Sequence, residues 1–70
     1  MAYYMIFVKE NQVWAPQFGD SDKECVEFER DDMCERVYEP VSKKDIKIIR
    51  FNKTPSNHEV NQKTIELNEN

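Results

Sequence analysis

Cys25, Cys34 and His58 are the side chains of this sequence best suited to bind a soft metal. A structural zinc site takes about four ligands at short paired spacings, and the eight residues between the two cysteines fit no such pattern. Nucleophilic or acid–base chemistry needs a pair of groups held together in a pocket. His58 stands alone in the C-terminal segment with no partner that the sequence can assign. Glu27, Asp31 and Glu35 recur at four-residue spacing, which would line three carboxylates along one helix face. Rows of that kind are ordinarily the solvated side of a helix. The single glycine, Gly19, cannot build a phosphate-cradling loop. No enzyme activity, metal or cofactor is expected.

Two charged stretches suggest binding. Lys43, Lys44, Lys47, Arg50 and Lys53 cluster near one apolar run, and Tyr3, Tyr4 and Phe51 could stack on bases. This is the residue set of a nucleic-acid surface. Opposing it is the stretch Asp20 to Glu39, whose nine acids (Asp20, Asp22, Glu24, Glu27, Glu29, Asp31, Asp32, Glu35, Glu39) meet three bases (Lys23, Arg30, Arg36), net −6. From Lys43 to Lys53 five bases meet one acid, Asp45, net +4. Phosphates would be repelled by the acidic stretch. That stretch could itself imitate a nucleic-acid backbone and fill a basic groove on a target protein, because complementary charge steers encounters.

The elements that must hold these residues read as follows. Tyr3 to Val8 is rich in aromatic and branched residues and predicts a strand. Lys9 to Gln12 is turn-like, and Val13-Trp14-Ala15 resumes an apolar run, so a hairpin is expected. With its turn on Glu10-Asn11, Val8 would face Val13 and Phe7 would face Trp14. One face then collects Tyr3, Met5, Phe7, Trp14 and Phe18, and the other Tyr4, Ile6, Val8, Val13 and Ala15. Both faces are apolar, which predicts a central first strand covered on each side. Pro16 makes the second strand an edge or ends it.

Gly19 sits where the strand would turn into a helix, and Ser21-Asp22-Lys23-Glu24 spells a capping box. A helix is predicted from about Asp22 to Tyr38 with an apolar stripe of Val26, Met33 and Val37, beside Cys34. Pro40 ends it. Ile46 to Phe51 predicts a third strand. Ser56-Asn57-His58-Glu59 repeats the capping spelling, and Val60, Ile65 and Leu67 offer a thin stripe for a short helix. The chain is therefore expected to be α+β, with a β-β-α-β core over 1–53 and a tail or short helix over 54–70. Its sheet should have three antiparallel strands in the order 2-1-3. The acidic helix should pack on one face; the C-terminal helix, a second copy in a homodimer, or a partner should cover the other.

Seventy residues, 34% of them charged, make one small domain with net charge −4. The apolar start lacks the basic flank and small-residue cleavage site of a signal peptide, and no apolar run reaches the roughly 18 residues that span a membrane. If both cysteines lie on one helix, they stand about 13 Å apart along its axis. A disulfide needs Cα atoms within about 7 Å, so free thiols and a cytoplasmic location are expected.

The run Trp14-Ala15-Pro16-Gln17-Phe18-Gly19-Asp20, followed by Val26-Glu27-Phe28-Glu29-Arg30 and Ile46-Lys47-Ile48-Ile49-Arg50, resembles small proteins encoded by bacteriophages and prophages. The resemblance implies a bacterial host cytoplasm and a chain that binds and blocks a host protein, such as a nuclease or other defence component. The residues themselves favour a non-catalytic protein-binding module. Its contact candidates are Tyr3, Met5, Phe7, Trp14 and Phe18 or the carboxylates Glu27, Asp31 and Glu35. The alternatives are a nucleic-acid regulator using Lys43, Lys44, Lys47, Arg50 and Lys53, or an acidic nucleic-acid mimic.

Overall fold

The branched and aromatic run at the start of the chain forms strand β1 (Tyr3–Glu10), and the following run forms β2 (Val13–Asp20). The long acidic segment is helix α1 (Lys23–Glu35). After a 3-10 turn at Lys43–Asp45 come β3 (Ile46–Phe51) and α2 (Asn57–Asn68). The computed structural model describes residues 1–69, so Asn70 of the C-terminal segment lies outside the described residues. The three strands are antiparallel in the order β2-β1-β3, which places the most apolar strand at the centre. The chain is α+β, as its patterning predicts.

The hairpin turns on Asn11-Gln12, one residue later than expected. Both residues have positive φ, 51° and 70°. This is the two-residue turn whose twist matches that of the flanking strands. Val8 therefore pairs with Ala15, and Phe7 with Pro16. Moving the turn by one residue changes every partner but keeps the faces, so Trp14 stays on the side of Phe7. Glutamine pays a steric penalty in this left-handed conformation that glycine does not. Gln12→Gly is therefore expected to stabilise the domain by about 0.5–1 kcal/mol, a rise of roughly 3–6 °C in the thermal midpoint. A melt followed by circular dichroism checks this; an unchanged or lower midpoint would contradict the turn geometry.

A bulge then interrupts the ladder opposite Ile6 and Phe7, where Gln17 is the extra residue between Pro16 and Phe18. Proline supplies no N–H for the ladder, and bulges gather on edge strands. The bulge moves Phe18 to the opposite face. It pairs with Ile6 and joins the α1-facing core, not the Tyr3, Met5, Phe7 and Trp14 face to which a regular strand would assign it. Gly19 lies inside β2 with an ordinary backbone, so it is not the strand-to-helix corner. Its missing side chain matters instead: a Cβ there would lie 2.6 Å from the Tyr3 hydroxyl oxygen, and the Tyr3 ring occupies that space.

On one face the core consists of Ile6, Val8 and Ile46 from the sheet under Val26 and Met33 of α1, with Tyr4, Phe18, Cys34, Val41 and Ile48 packed around them. The N-cap of α1 is Asp22, not Ser21: its carboxylate accepts from the Glu24 amide at 2.9 Å, and its own amide donates to Asp20 at 2.8 Å. α1 ends at Glu35, three residues short of the expected end, so Val37 is 89% exposed and does not extend the apolar stripe. Val41 takes the vacant place. Its amide donates to the Met33 carbonyl at 2.9 Å, which draws its side chain onto the core after Glu39 turns the chain with φ 52°.

On the other face α2 lies over β2. Its N-cap, Ser56, forms a complete capping box with Glu59. The Ser56 amide and hydroxyl bonds hold the Glu59 carboxyl below its ordinary range, with Lys53 and His58 adding to the effect. The sheet-side positions of α2 are Val60, Lys63, Thr64 and Leu67, all half-buried, whereas Ile65 points to solvent.

Candidate protein-binding surfaces

Three surfaces bring together the residues singled out by the sequence. The first is the aromatic face of the hairpin, and it is closed over Phe7 and Trp14. Phe7 is 0% and Trp14 8% exposed, while Tyr3 and Met5 are half-buried. α2 supplies the cover, and Asn68 fastens it. The Trp14 amide donates to Asn68 Oδ1 at 2.7 Å, and Asn68 Nδ2 donates to the carbonyls of Trp14 and Thr64, both at 3.0 Å. One side-chain amide thus pairs with β2 as a neighbouring strand would. Two lysines add to the cover over Trp14: Lys47 Nζ lies 4.7 Å and Lys9 Nζ 5.9 Å from the centre of its ring, within reach of a cation–π attraction. Of the residues expected to dock, Phe7 and Trp14 are taken into the chain's own interior, whereas Tyr3 and Met5 keep part of their surface.

The second surface is the outward side of α1. Val26 and Met33 point into the core, and at 3.6 residues per turn Phe28 points about 200° from Val26, directly away from it. Phe28 is 73% exposed. With Glu24, Glu27, Arg30 and Asp31 it lines a shallow depression, and Glu35 continues the same side two turns on. Glu27 and Asp31 are half-buried and Glu35 is exposed, so the predicted carboxylate row exists and is accessible. Phe28 was legible as an apolar residue off the inward stripe; its place at the centre of the row marks it as part of the site.

Cys25 and Cys34 are free thiols on this same helix. A helix N-terminus normally favours a thiolate, yet the Cys25 thiol is pushed above its ordinary value. The Asp22 charge contributes most, followed by desolvation, a hydrogen bond to Asp22, and the charges of Asp20 and Glu24. Alkylation of Cys25 by iodoacetamide at pH 8 should be several-fold slower than that of a free thiol, and Asp22→Asn, which keeps a competent cap, should accelerate it. Equal rates in the two proteins would contradict the electrostatic account.

The third surface is the basic segment. The strand's two-residue period places Lys47 on the α2 side and Arg50 on the α1 side, while Lys43 and Lys44 lie in the 3-10 turn and Lys53 beyond the strand. The five cations therefore surround β3 and do not form one basic face. Among the described residues the ion pairs are Arg30–Asp31, Arg36–Glu29, Arg36–Asp32 and Lys63–Glu66. None uses Lys43, Lys44, Lys47, Arg50 or Lys53, so the acidic helix and basic strand are not neutralising each other by contact. Among the described residues no three His, Cys, Asp or Glu side chains converge as metal ligands, and no helix is long and apolar enough to cross a membrane. His58 is exposed in the first turn of α2. No protein-family model, curated protein or solved structure matches the chain.

Proposed function

We propose that this protein is a non-catalytic protein-binding module that docks through the outward face of α1 onto a basic partner surface with an apolar recess for Phe28. The observation that carries this reading is Phe28 itself, 73% exposed between Glu24, Glu27 and Asp31. An aromatic side chain desolvated at the centre of a contact supplies affinity, and surrounding charges supply orientation and partner choice. The resemblance of the Trp14–Asp20 run to small phage proteins gives the proposal its setting: inhibition or modulation of a host protein in a bacterial cytoplasm. In this reading the carboxylates imitate a nucleic-acid backbone only in sign, and the aromatic anchor distinguishes the target from any basic surface.

The test is capture from a bacterial lysate by the protein, by Phe28→Ala and by the triple variant Glu27→Gln, Asp31→Asn, Glu35→Gln. Phe28→Ala should melt within about 0.5 kcal/mol of the parent, since the ring is exposed, and the triple variant within about 1 kcal/mol, since it keeps the size of each side chain and loses one partly exposed ion pair, Arg30–Asp31. A captured protein should be lost with Phe28→Ala and with the triple variant. Identical capture by all three proteins sinks the reading. The unpaired cations around β3 favour a second reading, a nucleic-acid regulator. Retention of DNA or RNA at low salt, abolished by Lys43→Ala and Lys44→Ala together, would select it.

A further inference from the structure

The two edges of the sheet differ. On β2, the Trp14 amide and carbonyl face outward and are taken by Asn68, Pro16 has no N–H to offer, and a bulge follows. That edge is occupied at Trp14 and interrupted at Pro16 and the bulge. The outward orientation of Trp14 also fixes the alternation of the ladder. Lys9, its partner, directs its main-chain groups to the β3 side, as do Phe7, Met5 and Tyr3, and these last three pair with Lys47, Ile49 and Phe51. The remaining residues, Ile46, Ile48 and Arg50, face away from the sheet. The Ile46 amide donates to the Lys43 carbonyl, as this alternation requires. The outward main-chain groups of Ile48 and Arg50 have no partner among the described hydrogen bonds. β3 contains no proline, glycine or bulge, and Ile48, Ile49 and Phe51 are half-buried along it.

We propose that the open edge of β3 is a strand-addition site for an extended acidic peptide segment of a partner protein. Main-chain pairing to Ile48 and Arg50 supplies the attachment, as in other sheets that accept an added strand. Charge selects the occupant. Lys43 and Lys44 stand at one end of the strand and Arg50 and Lys53 at the other, none in an ion pair. A second copy of β3 would bring an equally basic edge against this one, and like charges along an edge oppose self-pairing. An extended segment with acidic ends and branched residues between them meets complementary charge at both ends and apolar neighbours in the middle. A nucleic-acid backbone would use the cations but leave the main-chain edge unfilled. The site is distinct from the outward face of α1 and does not depend on it.

The test uses a blocked synthetic peptide of about eight residues with paired glutamates at each end and alternating valine and threonine between. It is titrated to millimolar concentration into the isotopically labelled full chain. The expected result is a shift of the Ile48 and Arg50 amide resonances, slowed hydrogen exchange at both, and weakening with added salt. Two controls leave the protein unchanged. N-methylating the peptide amides that would pair with β3 removes ladder hydrogen bonds, so binding should fall roughly tenfold. Replacing the glutamates by lysines should abolish it. The proposal is overturned by the absence of any shift, by equal binding of the methylated or lysine-ended peptide, or by shifts confined to α1. It is equally overturned if a dimer paired through β3 forms without peptide, or if single-stranded DNA protects the same amides.

Discussion

Phe7→Ala is expected to leave the protein largely unfolded at room temperature. Phe7 is completely buried at the centre of β1, on the face away from α1 and on the same side as Trp14. Removing a buried phenylalanine ring costs about 3–5 kcal/mol, from lost burial and from the cavity it leaves. A single core in a domain this small rarely supplies more than about 3–5 kcal/mol, so one substitution removes most or all of it. Phe28→Ala removes the same ring from a site that is 73% exposed, and alanine favours a helix. A pair of urea titrations, followed by near-ultraviolet circular dichroism, should show the Phe7 variant without a folded baseline and the Phe28 variant superimposable on the parent. If the Phe7 variant instead kept its midpoint within about 1 kcal/mol of the parent, the aromatic face would not be the sealed core described above.

That contrast shows what could be read in advance. The strands at Tyr3–Val8 and Ile46–Phe51 are runs of branched and aromatic residues whose preference is local, and the central position of the first strand followed from its two apolar faces. The cap at Ser56 and Glu59 was legible because its groups lie within one turn. The carboxylate row on α1 was equally visible from four-residue spacing. The face assignment of Phe18 was not, because it depends on an extra residue at Gln17 that breaks the two-residue period. The end of α1 is not legible, because Val37 and Val41 are both apolar and only tertiary geometry selects Val41 for the core. Least legible was the closure of the aromatic face. Half of the sheet-side stripe of α2 is Lys63 and Thr64, and the contact that anchors it joins Trp14 to Asn68 across 54 positions of sequence. The separation of Lys47 from Arg50, by contrast, follows from an odd spacing on a strand.

Asn68→Asp tests that closure most directly, because it preserves size while removing both Nδ2 donations. The carbonyls of Trp14 and Thr64 lose their shared donor, and a carboxylate stands against the oxygen of Trp14. The expected loss is about 1–3 kcal/mol, concentrated in α2, with a red-shifted tryptophan emission that acrylamide quenches more readily. The Trp14 amide favours the anion, but the Trp14 and Thr64 carbonyls and the negative end of α2 oppose it and only the protonated acid can donate to them, so folding is expected to raise the pKa of the introduced carboxyl above its unfolded value of about 3.9. Its stabilising contact is then fully present below that value and is lost as the pH rises through the higher folded one. Glu59 works in the opposite direction: its depressed carboxyl caps α2 above the ordinary carboxylate range, and this contribution fades as the pH falls through the folded value. Parent and variant share the Glu59 effect, so their difference at each pH isolates position 68. That difference should be largest near neutrality, shrink as the pH falls through the raised folded value, and be smallest and constant below about pH 4. Asn68→Ala, which has nothing to protonate, should show no such recovery. A deficit in Asn68→Asp that is constant across this range would mean that the amide does not hold the helix to the edge of β2.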